Sequence, residues 1–405
     1  MTVLFIHYRF PGQFVPLVDA YVRAGVQIVA ICHAPDQTAL DAATFGKIRL
    51  MTCAPGERPG SAGGYSQDLM AGSLRVRKAL LQLQQEGFYP EVCLAHIGFG
   101  DGLFVKDIFP DTVYLAYCEY YYHARRSDLD FDPEFALPDT GLVDIKTPNA
   151  YTLLALDAAD AAISPTEWQK KRFPAAYQHR IAVIHEGVDT VRCQPDPSAC
   201  FTLENGQILR QGDEIVTYAT RNLEPYRGFH TFMRAVALLL RQRPRLQVLI
   251  AGGDEVSYSR PLPQGQTYRE TLLAELDLDE AELSRLHFVG HLPFDTYCRL
   301  LQVSMVHVYL TVPFVLSWSL LEAMACQCAI VASDTEPVRE VVQDGHSALC
   351  GDFFNALQLA SLIECLLLNP VLRIKLGTQA RRTVVERYNR DRTFGCYQDL
   401  LNRIT

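Results

Sequence analysis

The sequence contains no apolar run of the ~18 residues that a membrane-crossing helix needs. Its first residues, Met1-Thr2-Val3-Leu4-Phe5-Ile6-His7, have no basic leader region and no small-residue cleavage site, so they read as a first buried strand. It has no Cys-x-x-Cys and no paired Cys/His spacing, so no structural zinc or other metal site is expected. The twelve cysteines are scattered, several in apolar stretches (Cys32, Cys93, Cys326, Cys328), and read as reduced core thiols of a cytoplasmic protein. A basic surplus is also missing. Lys plus Arg is 37 against 46 Asp plus Glu, a net charge of −9, which argues against a general nucleic-acid binder and leaves only a local basic groove open. Finally, G-x-G-x-x-G is absent: the loop after the first strand, Tyr8–Phe14, offers one glycine, Gly12. It reads either as a plain strand-to-helix turn or as a loop approaching a sugar or phosphate.

What the sequence does have is core. Of its 405 residues 49% are hydrophobic and 20% charged, an ordinary globular mix long enough for two to three domains at roughly 150 residues each. Short apolar runs alternate with helical patterns along the whole chain, the signature of parallel α/β architecture. Strands are expected at 2–7, 27–32, 92–96, 112–116, 161–164 and 181–184. Beyond a break at 193–212, read as the linker, they recur at 215–219, 247–251, 287–289, 305–310 and 329–332. Residues 53–72 and 128–147 read as loops, and 356–388 as helical. Lys170-Lys171-Arg172 reads as a solvated face, with a membrane-surface or phosphate contact as the sharper alternative.

Three stretches carry chemistry. Pro313–Ala332 follows the apolar run 305–310, with a loop, then a helix-like segment over 319–326, then a second apolar run at 329–332. A helix N-terminus reached from a strand is a good anion site, because its first N–H groups lack partners and the dipole is positive there. Ser319-Leu320-Leu321-Glu322 also matches a capping box, which would merely start the helix. Around 220–228, Arg221 and Arg227 flank one loop, where two guanidinium forks suit a diphosphate; surface ion pairs with Glu224 or Asp213 are the plainer reading. At 117–123, Tyr120, Tyr121, Tyr122 and His123 follow Glu119 at a strand end. Aromatic faces with hydroxyls suit a sugar, and packing between domains is the alternative. Nearby, Gly98, Gly100 and Gly102 allow close backbone approach.

Six fragments in order, IHEGVD at 184–189, ATRNLEPYRG at 219–228, IAGGD at 250–254, FVGHLP at 288–293, LLEAMA at 320–325 and IVASD at 330–334, resemble family 4 of the retaining glycosyltransferases. The match covers about 220 residues and is looser in the first half. The resemblance implies α/β architecture of the GT-B kind: two Rossmann-like parallel-sheet domains facing a cleft, with a final helix crossing back to the first. Residues 1–190 plus 389–405 would bind acceptor, and 191–388 would bind a nucleotide-sugar donor. It implies that Arg221 and Arg227 hold the donor phosphates and that Glu322, the last acid of the family's E-x7-E motif, takes the ribose. Gly290 and His291 would lie by the base, and the amides of Leu316, Ser317, Trp318 and Ser319 by the distal phosphate. Gly12 would approach the donor. Tyr120, Tyr121, Tyr122, His123 and Gly100 would face the acceptor.

Two positions depart from the family. Phe314 stands where the first motif acid belongs, and the histidine usual near the reacting carbon is missing, Glu119 being the nearest polar residue and His123 the next. The implied reaction is retaining transfer of a sugar from a nucleoside-diphosphate sugar, UDP- or GDP-linked, to an acceptor hydroxyl. Glu119, Arg221 and Arg227 are its candidate catalytic groups, and the leaving phosphate takes the acceptor proton. No metal or other cofactor is expected. Glycans, lipid-linked glycans and small molecules are the acceptor classes, which would put the protein in the cytoplasm or at the inner membrane face. A decayed sugar- or nucleotide-sugar-binding scaffold, and an epimerase or phosphorylase, are the competing readings.

Overall fold

In the computed structural model the described residues are 1–53, 64–135 and 142–404. They form two compact units, each built on a parallel sheet. The first unit comprises Met1–Arg125, Pro138–Gly187 and Arg390–Thr405. Its strands are β1 (Thr2–Ile6), β2 (Gln27–Cys32), β3 (Ile48–Thr52), β4 (Val92–His96), β5 (Val113–Tyr117), β6 (Ala161–Ser164) and β7 (Ile181–Val183), in the order β3-β2-β1-β4-β5-β6-β7. Every neighbouring pair is parallel. Val3–Ile6 and all of β4 are buried, because helices cover both faces of the sheet and leave no polar side. A core lies on each face. The final helix, Arg390–Ile404, supplies Tyr397 and Leu401 to one of them, so this last element belongs to the first unit.

The second unit is 188–389 together with the stretch beginning at Arg126. Its strands begin with β8 (Cys200–Thr202) and β9 (Ile208–Arg210), an antiparallel pair. The parallel sheet follows: β10 (Ile215–Asn222), β11 (Gln247–Gly253), β12 (Leu286–Gly290), β13 (Val306–Tyr309), β14 (Ile330–Ser333) and β15 (Leu349–Gly351), ordered β12-β11-β10-β13-β14-β15. In both sheets the strand order reverses beside the first parallel strand, between β1 and β4 and between β10 and β13. Ligands of open α/β sheets sit outside the carboxyl ends of the strands at such reversals.

Several expectations change. Residues 193–212 are no linker. Phe201, Leu203 and Leu209 of the β8–β9 hairpin pack into the second core, and the chain passes between units at Gly187/Val188 and Asn389/Arg390. The loop expected at 53–72 is partly a helix, Gly64–Gln85, and 54–63 lie outside the described residues. Likewise the helix Leu142–Ala158 takes the end of the loop expected at 128–147, of which 136–141 lie outside. The stretch expected to be helical, 356–388, is two helices, Ala356–Leu368 and Pro370–Arg387, meeting at 102°. Pro370 cannot continue a helix but starts one well, and Asn369 caps the new start through Leu372 N–H. No single described helix is long and apolar enough to cross a membrane.

The stretch 126–135, expected with the first domain, is fastened to the second unit instead. Asp128 accepts from the Tyr226 hydroxyl, and Asp132 lies 3.2 Å from His230 Nε2. Glu134 takes both ends of the Arg234 fork at 2.7 and 2.8 Å. Phe131 packs on Phe353 and Phe354, and Phe135 on His230 and Tyr268.

Candidate functional site

In the second unit the ends of β10, β11 and β12 and the start of the helix Trp318–Ala325 enclose a pocket of about 230 Å³. Arg221 stands at its lip on the exposed end of β10. Its guanidinium has no carboxylate partner among the described residues. The acids expected to neutralise it are used otherwise. Glu224 is buried and accepts three backbone N–H bonds, from Ser257, Tyr258 and Ser259 at 3.2, 3.0 and 2.8 Å, while Asp213 accepts from Arg210 N–H. Gly290, His291, Ser317, Trp318, Ser319 and Glu322 line the same pocket, so it gathers most of the donor-side residues. His291 is largely exposed and lies 3.5 Å from Glu255.

The helix begins one residue earlier than expected. Ser317 is its N-cap and accepts from Ser319 N–H at 3.3 Å. Ser319 therefore lies inside the helix, and Ser319–Glu322 is not a capping box. Glu322 faces the pocket from the helix's second turn. Burial pushes its carboxyl up to about 7, while the neighbouring Tyr297 hydroxyl pulls the other way. Tyr297, also in the lining, was not singled out from the sequence. It sits in a helix, Phe294–Val303, whose pattern resembles any amphipathic packing helix.

Two donor-side residues lie elsewhere. Leu316 is buried in the second core rather than lining the pocket. Arg227 is also buried and absent from the lining. Its Nη1 donates to Thr311 Oγ1 at 2.8 Å and to the Val315 carbonyl at 3.1 Å. Its guanidinium lies 5.6 Å from the Tyr258 ring and 5.9 Å from the Phe314 ring. Phe314 itself packs edge-on against Tyr226 and Tyr258. With an aromatic ring in the place of the acid, the arginine turns into an aromatic box and props the segment 311–315.

In the first unit a second cluster forms where β1, β4 and β5 end. Glu119, two residues past β5, accepts from Gln13 Nε2 at one carboxylate oxygen and from His96 Nε2 at the other, the latter at 3.0 Å. His7 Nδ1 accepts from Arg9 N–H at 3.0 Å, so Nε2 carries the proton that is donated to Gln13 Oε1 at 2.6 Å. Burial, with His96 nearby, pushes His7 down to about 3. Glu119 is pulled both ways: burial raises it, but the His96 and Gln13 hydrogen bonds outweigh that and hold it below the usual carboxylate value. Gly12 lies against this cluster. With φ at +50°, a Cβ there would stand 2.2 Å from the His7 ring. His7, Gln13 and His96 were not singled out from the sequence. His7 and His96 share a signal, a histidine at the C-terminal end of an apolar run, but only the sheet order makes them neighbours.

The tyrosine cluster is mostly packing. Tyr120 is buried against Tyr122 and Trp168, with Arg172 over its ring. Tyr121 packs on Phe173, and His123 Nε2 donates to the Arg172 carbonyl at 2.8 Å. Arg172 is thus part of that packing rather than of a free basic face. Gly100 ends a short helical turn, and its carbonyl accepts from Ser73 Oγ.

Two parallel-sheet units, with an arginine and a half-buried acid gathered near the strand ends of the second, define an α/β protein of the doubly wound kind. Two family models match in tandem and together span most of the chain: "Glycosyl transferase family 4 group" over residues 24–193 and "Glycosyl transferases group 1" over 202–383. The chain belongs to these GT-B, family 4-like glycosyltransferases. It is similar to the alpha-maltose-1-phosphate synthase of Mycolicibacterium smegmatis, 27% identical over 58% of this chain and 61% of that one. The chain spans about half the length of the curated relatives it matches. Among solved structures, sucrose-phosphate synthase from Thermosynechococcus elongatus superposes with a TM-score of 0.72 at 16% identity, over 100% of this chain and 99% of that one. Anabaena HepE in complex with UDP superposes at 0.70 and 14%, over 100% of both. At such identities these two likenesses concern the fold.

Proposed function

We propose that the protein moves a sugar, with retention of configuration, from a nucleoside-diphosphate sugar to an acceptor hydroxyl. The observation that carries this reading is the second-unit pocket. It pairs an arginine that has no carboxylate partner among the described residues with the half-buried carboxyl of Glu322, beside the ends of three adjacent strands. Arg221 and the first N–H groups of the helix at Trp318 would neutralise the diphosphate and stabilise charge on the leaving phosphate. Glu322 would accept the ribose hydroxyls. The departing phosphate would take the acceptor proton, so no protein base has to remove it. UDP is the nucleotide to try first, because HepE was solved with UDP. The matched synthase makes a sugar phosphate by its name, which puts small phosphosugars beside glycans as acceptors to screen.

The test is turnover. Nucleotide-sugars are incubated with sugar, sugar-phosphate and lipid-linked acceptors, and nucleoside-diphosphate release and product anomers are followed by NMR. Retained configuration, with turnover persisting in EDTA, is expected. Phe314 in the acid's place favours one competing reading, a binding scaffold without transfer. Tight nucleotide-sugar binding with no product from any acceptor class would decide for it.

A further inference from the structure

The cluster at the end of β1, β4 and β5 has a direction. Each donor in it is fixed: Arg9 N–H to His7, His7 to Gln13, Gln13 to Glu119 and, from the other side, His96 to Glu119. Both chains of donors end on one carboxylate. An ionised carboxylate accepts about four hydrogen bonds, and these two leave room for more. The Glu119 side chain is 23% exposed and that of His96 2%, so only the acid meets a ligand. The backbone is fixed as well, since Gln169 Nε2 donates to the Glu119 carbonyl at 2.6 Å.

We propose that Glu119 is a preset anionic anchor for a hydroxyl of the sugar acceptor, and that His96 and Gln13 are positioning residues that fix its charge and orientation. This rests on the glycosyltransferase reading and adds the chemistry of its acceptor side. A carboxylate repels phosphate and attracts O–H donors. The group facing Glu119 is therefore a neutral hydroxyl of a sugar, not a phosphate of either substrate. The groups turned toward the carboxylate are His96 from β4, His7 from beyond β1 and Gln13 from the turn Gly12–Phe14. Tyr117 of β5 packs on the His96 ring but gives its hydroxyl to Glu186. None of these is an arginine or lysine. Hydrogen bonds, not a permanent cation, keep the acid ionised.

The test is a carboxyl titration. Protein carrying glutamate labelled with ¹³C at the carboxyl is titrated by NMR, and the Glu119 signal is assigned by its loss in Glu119→Gln. In the unaltered protein it should titrate below the ordinary carboxylate range. In His96→Phe, which keeps the stacking on Phe99 but has no donor, it should move up. In His96→Gln, whose amide can donate from a similar place, it should move back. Methyl glycosides of glucose, galactose, mannose and N-acetylglucosamine are then added, and at least one should shift the Glu119 signal. An ordinary titration, or one indifferent to His96→Phe, overturns the positioning. The expected titration with no response to any glycoside overturns the anchor. Nucleoside-diphosphate binding by the same unaltered samples is measured separately. Its absence would strike the donor reading and leave the behaviour of Glu119 to be judged by itself.

Discussion

Arg221 and Arg227 are six positions apart, and the sequence gives them equal claims on a phosphate. Their surroundings divide them. Arg221→Ala should weaken nucleoside-diphosphate binding by roughly ten- to a hundredfold, the loss of a charge-assisted contact worth ~1.5–3 kcal/mol. Its melting temperature should hardly change, because the side chain is exposed. Arg227→Ala should do the reverse. It strips partners from Thr311 and Val315 and empties an aromatic box, a loss on the order of 2–4 kcal/mol in melting experiments. Glu322 gives a pH prediction. Its folded value is raised to about 7 from an ordinary 4.5, so the folded state binds the extra proton in that window and stability falls as pH rises through it. In Glu322→Gln the fall should be smaller, by up to about 3 kcal/mol across the window. Ribose hydroxyls donating to the carboxylate favour its charged form. Nucleotide binding near neutral pH should therefore release protons, seen as a buffer-dependent heat that Glu322→Gln abolishes. Arg221 and the helix start at the pocket were legible from a strand end and a helix-like pattern, and Gly290 and His291 only through the family resemblance. The burial of Arg227 was not, because it depends on Phe314, Tyr258 and Thr311 meeting across long sequence distances.

Among the elements, strands were the easiest to read. Short continuous apolar runs such as Val92–Ala95, too short for a helix of their own, suit strands buried on both faces. Helix ends were harder. The pattern around 317–322 pointed to Ser319 as the cap, and the backbone puts the cap at Ser317, which is extended at ψ 144°. Ser317→Ala should cost ~1 kcal/mol of stability and loosen the start of the helix at the pocket. The turn between β10 and the helix Phe229–Gln242 depends on Gly228, held at φ +68° with a would-be Cβ 2.5 Å from Leu310 Cβ. Gly228→Ala should destabilise the second unit by at least ~2 kcal/mol, the left-handed conformation and the clash adding. Thermal melts of the two variants measure both effects.

At the scale of the whole molecule, the division of the chain is less simple than one half each. The first unit borrows its last helix from the far end of the chain, and the second takes 126–135 from the middle of the first half. The return of the final helix to the first unit was legible only through the family resemblance, and the placing of the middle stretch not at all. Residues 126–135 look like an acidic loop, and their anchors, Tyr226, His230 and Arg234, lie some hundred residues further on. Truncation after Asn389 should uncover the core around Tyr21 and Phe394's neighbours and unfold the first unit preferentially. Calorimetry would show this as an early transition ahead of that of an otherwise unchanged second unit.

The central claim is that the second-unit pocket holds the nucleotide end of a sugar donor through Arg221 and Glu322. It is tested most directly by thermal stabilisation of the full chain across UDP-, GDP-, ADP-, dTDP- and CMP-sugars. A ligand at 100 times its Kd adds about 2.7 kcal/mol. The account predicts a clear rise with at least one nucleotide-sugar, lost in Arg221→Ala and in Glu322→Ala but retained in a Glu119→Gln control. No rise with any of the five, or a rise that survives both pocket substitutions, would contradict it.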